Sequence, residues 1–326
     1  MAISKFSGVD WGDILKAGGV AKADISNIGG LEPPVDTIPA NTWLVGSVAG
    51  RVFWTNTGSA TEGWIQMSDL GNNEYKDAAV GQGQNGDKLW ALQAANNTDE
   101  ILYASASADV TDANNWTAVN FSTNYKATDY GPALAWGNDV WVAGGVAVND
   151  GDSYITIMKS TDGASSWAAV DFGNSISDQT HAVAYKDGST WFLGHQSHIW
   201  KSTDNGANWT DTVTLEGTRD INAIAYNGSG RWVAALAAGN IYTSDDDWAS
   251  ATERTNATGG YNNLGVVYAG GTIRKWIICS SNGRLQSSPD GITWTAIWEG
   301  DDGNWGTAHI RAIATDDTTI EIVGNS

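Results

Sequence analysis

Cysteine is nearly absent: Cys279 is the only thiol in 326 residues, so no disulfide can form within the chain. It lies in the apolar run "KWIICSS", which predicts a buried structural thiol. Proline is scarce at five residues, and 17 Lys and Arg stand against 37 Asp and Glu. The net charge of −20, with a pI near 4.3, argues against binding nucleic acid by phosphate neutralisation and predicts a well-solvated surface. No apolar run approaches the roughly 18 residues of a membrane-spanning helix. The first residues also lack a basic start followed by an apolar stretch, so no secretory signal is expected.

What the chain does have is glycine (39), tryptophan (18) and many Thr, Ser, Asn and Asp, a profile of short strands and tight turns. One Trp series, Trp43, Trp90, Trp141, Trp191, Trp232 and Trp276, opens strand-like runs such as "VWVAGG" and "RWVAAL". A second series, Trp64, Trp116, Trp167, Trp209, Trp248 and Trp294, closes acidic turns. Small-apolar strands such as "PALAW", "HAVAY" and "NAIAY" precede the first series. Each repeat of about 40 to 50 residues therefore reads as four strands, the pattern of a β-propeller blade.

The first repeat begins at its Trp-led strand, whereas the last small-apolar strand, "IRAIA" (310–314), has no complete blade behind it. Pairing the two ends would make one composite blade and leave no open sheet edge. The expected fold is all-β: a propeller of six four-stranded antiparallel blades over residues 41–326, behind a short non-globular arm of residues 1–40. The run "TIEIVG" (319–324) resembles a surplus second strand and leaves seven blades as the alternative.

The segment "STDNGANW" follows Ser-x-Asp-x-Gly-x-x-Trp at Ser202, Asp204, Gly206 and Trp209. Related turns carry Ser160, Asp162 and Trp167, with the Gly shifted by one, and Ser288, Asp290, Gly291 and Trp294, one residue shorter. The remaining copies, "TSDDDW" among them, are degenerate. This pattern resembles the Asp-box turn of sialidase-like propellers, also called the BNR repeat. An Asp that accepts backbone N–H groups, a Gly for positive φ and a packing Trp give the turn a scaffold role without any ligand. The resemblance places such turns on the outer rim, away from chemistry.

Sialidase activity, which the same resemblance raises, needs three converging Arg, a Tyr nucleophile assisted by Glu, and an acid/base Asp. Only seven Arg are present and none lies in an Arg-Ile-Pro motif; Arg231 and Arg274, flanking Trp-led strands, read as surface charges. Asp129, Asp178, Asp220 and Asp316 sit near first strands, where a glycosidase carboxylate pair would be sought; solvated loop acids are the plainer reading. His195 and His198 in "GHQSHIW" lack the further ligands that Zn²⁺ needs, and His181 and His309 begin first strands. Acidic runs at Asp150/Asp152, Asp245 to Asp247 and Asp301/Asp302 match no EF-hand loop. "VGQGQNG" (80–86) reads as a turn between strands. No enzyme, metal or cofactor is expected.

The arm carries a near-repeat, "DILKAGGV" and "DISNIGGL", ahead of Pro33-Pro34. Trp11, Ile14, Leu15, Ile25 and Ile28 would give it an apolar face for a partner. It resembles leaders of bacteriophage virion proteins, which implies attachment to other virion proteins in an oligomeric particle, as fibre, tail or capsid decoration. A receptor-binding module for host surface glycans is the alternative, with Trp305 in "DDGNWGT" as a stacking platform; Trp136 and Trp200 lie within strands and are expected in the core. A propeller-type glycoside hydrolase is a third reading. A relative of the propellers that help build photosystem II is a fourth, against which the acidity and the leader weigh.

Overall fold

The computed structural model describes residues 74–83, 88–95, 100–105, 113–120, 133–149, 152–171, 180–217, 219–269, 274–281 and 284–298, with strand pieces at 5–6, 9–10, 43–46, 52–55, 65–66, 309–310 and 324–325. At the start, β1 (Lys5–Phe6) pairs with β2 (Val9–Asp10). Blade 1 is the three-stranded sheet of β3 (Trp43–Gly46), β4 (Val52–Thr55) and β5 (Ile65–Gln66).

Five four-stranded antiparallel sheets follow in chain order. Blade 2 holds β6 (Glu74–Gln82), β7 (Lys88–Ala95), β8 (Glu100–Ser105) and β9 (Thr117–Asn120). Blade 3 holds β10 (Ala133–Gly137), β11 (Val140–Asn149), β12 (Asp152–Ser160) and β13 (Ala168–Asp171). Blade 4 holds β14 (Thr180–Asp187), β15 (Thr190–His195), β16 (His198–Ser202) and β17 (Thr210–Thr214). Blade 5 holds β18 (Ile221–Tyr226), β19 (Trp232–Leu236), β20 (Ile241–Ser244) and β21 (Thr252–Arg254). Blade 6 holds β22 (Asn263–Ala269), β23 (Lys275–Ser280), β24 (Arg284–Ser288) and β25 (Thr295–Trp298). Two last pieces, β26 (His309–Ile310) and β27 (Gly324–Asn325), pair with each other. The architecture is an all-β propeller. Of the run 310–314 expected to complete the sheet of β3, only Ile310 is described, and it pairs with Gly324 of β27; residues 311–314 lie outside the described residues.

In each complete blade the strands pair in sequence order, and the first strands β6, β10, β14, β18 and β22 lie side by side like staves. Strand alternation then sends successive side chains to two different neighbours. On β14, Ala182 and Ala184 join the core between blades 4 and 5, while Val183 and Tyr185 join the core between blades 3 and 4. On β19, Trp232, Ala234 and Leu236 face blade 4, whereas Val233 and Ala235 join the core shared with blade 6. Both faces are covered, so the second strands read as continuous apolar runs instead of alternating ones. The buried Trp141, Trp191, Trp232 and Trp276 each sit at the head of such a run.

Small residues stand where the blades converge. A Cβ on Gly194 would lie 2.6 Å from Ile221 Cγ2 of the next blade, and one on Gly144 would lie 2.7 Å from Thr180 Cγ2. Cys279 is fully buried in blade 6, and burial pushes its thiol pKa far above the ordinary value, as expected of an inert structural cysteine.

Candidate functional site

The Ser-Asp turns join the third and fourth strands of blades 3 to 6, at the same end as the hairpins joining first and second strands. In blade 4, Ser202 Oγ donates to Asp204 Oδ1 (2.8 Å) and accepts the Gly206 N–H (2.9 Å). Asp204 also accepts the Asn208 N–H at 2.8 Å and its side-chain amide at 2.7 Å. Trp209 Nε1 closes the loop on Gly206 O at 3.0 Å. Burial pushes the Asp204 carboxyl upward, but the bonds from Asn208, Ser202 and Ala207 together outweigh it and bring it down to about 2.

The geometry repeats in blade 3, where Ala164 N–H reaches Ser160 Oγ (3.0 Å), Ser166 N–H reaches Asp162 Oδ1 (2.9 Å) and Trp167 Nε1 reaches Ala164 O (3.1 Å). In blade 6 Gly291 N–H, Thr293 N–H and Trp294 Nε1 make the corresponding bonds to Ser288, Asp290 and Gly291 O. Two consecutive residues take positive φ in blades 3 and 4: Gly163 and Ala164, then Asn205 and Gly206. The shifted Gly of the blade 3 turn therefore serves the first of these two positions.

"TSDDDW" is not degenerate in structure. Ser244 Oγ donates to Asp246 Oδ1 (2.8 Å), Trp248 N–H reaches Ser244 Oγ (2.9 Å), and Ser250 N–H reaches Asp246 Oδ1 (2.9 Å). Its tryptophan takes a different place from the one its sequence position suggests. Trp248 occupies the position of Gly206, with φ 63°, and the closing position of Trp209 is taken by Ala251. The indole is fully buried beside Phe192 and Trp232.

Every one of these turns is a wedge against the preceding blade. The site for a Cβ on Gly206 lies 3.3 Å from Val142 of blade 3, that on Gly291 lies 3.2 Å from Val233 of blade 5, and Trp248 packs with Phe192 of blade 4. Arg231, read from sequence as a surface charge, is part of the same wedge. Its Nε and Nη2 grip Asp245 at 2.7 Å each, and Nη1 donates to Asp290 O of blade 6 at 2.6 Å. The guanidinium holds the Asp245 carboxyl below its ordinary range. Between blades 4 and 5, Lys186 Nζ reaches Asp247 Oδ2 at 2.7 Å, and Trp232 Nε1 donates to Asp247 Oδ1 at 3.2 Å.

A cleft of about 390 Å³ opens on this end between blades 5 and 6, edged by the hairpin Asn227 to Arg231, by Asp245, by Asp290 and by the Tyr268 ring. Sequence reading did not single it out. The signal available was the residue after each first-strand aromatic: Gly137, Lys186 and Asn227 follow Trp136, Tyr185 and Tyr226.

Toward the opposite end, four of the five first strands carry a register shift near their start, around Lys76, His181, Asn222 and Leu264. Asn222 Nδ2 bridges to Asn263 O of blade 6 at 2.7 Å. His195 and His198 face each other across the β15–β16 hairpin; His198 Nδ1 lies 2.8 Å from Asp211 Oδ2 and His195 is buried. Among the described residues no three His, Cys, Asp or Glu side chains gather as a metal site. Trp136 and Trp200 pack in the inter-blade cores. Of the four acids near first strands, Asp220 is described, while Asp129, Asp178 and Asp316 lie outside the described residues, as do Trp11, Ile14, Leu15, Ile25, Ile28 and Trp305.

No protein-family model and no curated protein matches the chain. Solved structures of similar shape include YCF48 bound to D1 peptide, with a TM-score of 0.57 at 14% identity over 88% of this chain and 87% of that one. YCF48 from Cyanidioschyzon merolae gives 0.53 at 14% over 86% and 91%. The β-propeller domain of Myceliophteria thermophila Cps50 (Swd1) gives 0.55 at 11% over 87% and 89%. At these identities the likeness establishes the propeller fold.

Proposed function

We propose that this protein is a non-enzymatic propeller that serves as an appendage of a bacteriophage particle, held to other virion proteins through residues 1–40. The observation that carries the non-enzymatic part is the wiring of the Ser-Asp turns. The carboxylates of Asp162, Asp204, Asp246 and Asp290 are engaged by the N–H and hydroxyl groups of their own turns, in the manner of Asp-box repeats. Acidic repeats of this kind stiffen a scaffold, and loops on a rigid scaffold are suited to recognition. The virion assignment rests on the resemblance of the leader, with its two Gly-Gly-stopped apolar units.

Light scattering and limited proteolysis on the full chain and on a chain beginning at Asn41 test this reading. Assembly of the full chain, with a trimmed propeller that stays monomeric and folded, is the expected result. Unfolding of the trimmed chain would make the arm part of the fold and end the docking-arm reading.

A second reading follows from one observation, the similarity to YCF48 bound to D1 peptide. On this reading the propeller would bind a peptide segment of a partner protein. Anisotropy of a labelled D1 peptide separates the two: tight binding favours the second, and no binding removes its support.

A further inference from the structure

The first strands of blades 3 to 6 each present an aromatic ring toward the preceding blade: Trp136, Tyr185, Tyr226 and Tyr268. A Cβ on Gly81 would lie 2.2 Å from Trp136 Cγ, and one on Gly137 would lie 2.1 Å from Tyr185 Cγ, so at both junctions the ring packs directly on glycine backbone. Between blades 4 and 5, Lys186 lies over the Tyr226 ring, its Nζ 5.9 Å from the centroid and tied to Asp247. Between blades 5 and 6 the residue at the covering position is Asn227, whose Oδ1 accepts the N–H groups of Ser229 and Arg231 at 2.9 Å each. Gly228 and Gly230 add no bulk, and a Cβ on either would meet open space. The Tyr268 ring, half-buried, lines the 390 Å³ cleft together with Asn227 and is propped at 5.0 Å centroid distance against buried Trp276.

We propose that this cleft binds one pyranose ring of a neutral glycan. The site supplies what such a ring requires: an aromatic platform for its C–H face, and planar hydrogen-bonding groups at the edge for its hydroxyls. Those groups are the Asn227 amide, the guanidinium N–H groups of Arg231 left over from its three bonds, and the outward side of the Asp245 carboxylate. Asp245 accepts hydroxyl protons, Arg231 donates to hydroxyl oxygens, and the pair is already held rigid in bidentate geometry. Charge decides against other ligands of the same size. An anion would meet Arg231 already neutralised, with the Asp290 carboxylate nearby. A cation would find the Asp245 carboxylate paired with Arg231 and Asp290 Oδ1 held by Ser288, Ile292 and Thr293. A neutral polyol disturbs neither bond. The cleft volume falls in the usual range for small-ligand sites, about 300 to 1,000 Å³. The inference concerns what the propeller holds and does not depend on how the chain is attached to a particle.

Saturation-transfer NMR on the full chain, with a panel of methyl hexopyranosides, N-acetylglucosamine and sialic acid, tests it. The expected result is transfer to at least one neutral pyranoside, strongest on one C–H face, with a Kd of about 1 mM for a single ring. Tyr268→Trp retains binding, and Tyr268→Ala weakens it about tenfold. Asn227→Lys, which copies the lysine cover of the neighbouring junction, abolishes it. Circular dichroism and thermal unfolding check each variant, and if Tyr268→Ala fails to fold, the other two variants still decide. Absence of transfer from the unaltered chain to every neutral sugar would overturn the proposal. So would transfer that survives Asn227→Lys, or tighter binding of sialic acid than of all the neutral rings.

Discussion

Asp204 shows how one carboxylate can organise a hairpin. Its oxygens take bonds from Ser202, Ala207 and Asn208, so Asp204→Ala leaves two backbone N–H groups to water and should cost about 1 to 2 kcal/mol in chemical denaturation. Asp204→Asn, which keeps one acceptor oxygen, should cost less. The pH dependence has a fixed sign. The folded-state pKa values of Asp162, Asp204, Asp246 and Asp290 are all lowered, so these groups contribute stability above the unfolded value of roughly 4. That contribution is lost as pH falls toward the folded value, about 2 for Asp204. Thermal unfolding followed from pH 5 to pH 2 should show the fall, and it should be shallower in Asp204→Asn.

At the scale of the strand and turn, most of the architecture was legible because each repeat states it again. The Trp-led runs gave the second strands, and Ser-x-Asp gave the turns at Ser160, Ser202 and Ser288. The blade 5 turn was misread since its tryptophan sits three positions early, in a backbone conformation that sequence patterns reserve for Gly or Asn. This exchange can be tested. Trp248→Gly removes a fully buried indole and should cost about 3 to 5 kcal/mol, less whatever the positive φ returns. Adding Ala251→Trp restores the layout of the Trp209 turn and should recover part of that loss in urea melts. Gly194→Ala addresses the junction of first and second strands: its new Cβ would stand 2.6 Å from Ile221, and a loss of about 1 to 3 kcal/mol is expected.

Across the whole molecule, sequence could count acids and bases but could not say which faced each other. Arg231 and Asp245 are 14 residues apart and look like two solvated charges until the hairpin and the turn of blade 5 are folded side by side. Likewise, the cleft beside Tyr268 depends on which side chains blade 5 places next to it, a relation between repeats that single-repeat patterns do not carry. The remaining charge is a burden on the compact state: at −20, mutual repulsion among surface carboxylates opposes folding. Raising ionic strength from about 0.01 M to 0.15 M shortens the Debye length from about 30 Å to 8 Å and should raise the melting temperature, measurable by calorimetry at pH 7.

The wedges also give the ring a direction in time. Because the turns of blades 3 to 6 each brace the blade before them, a chain emerging from the ribosome completes blade 4 only when the turn of blade 5 has been made, and blade 5 only when Gly291 arrives. The growing propeller therefore always carries one unfinished member at its leading edge, and synthesis stalled between two blades leaves the last one open to proteases and to pairing with another copy.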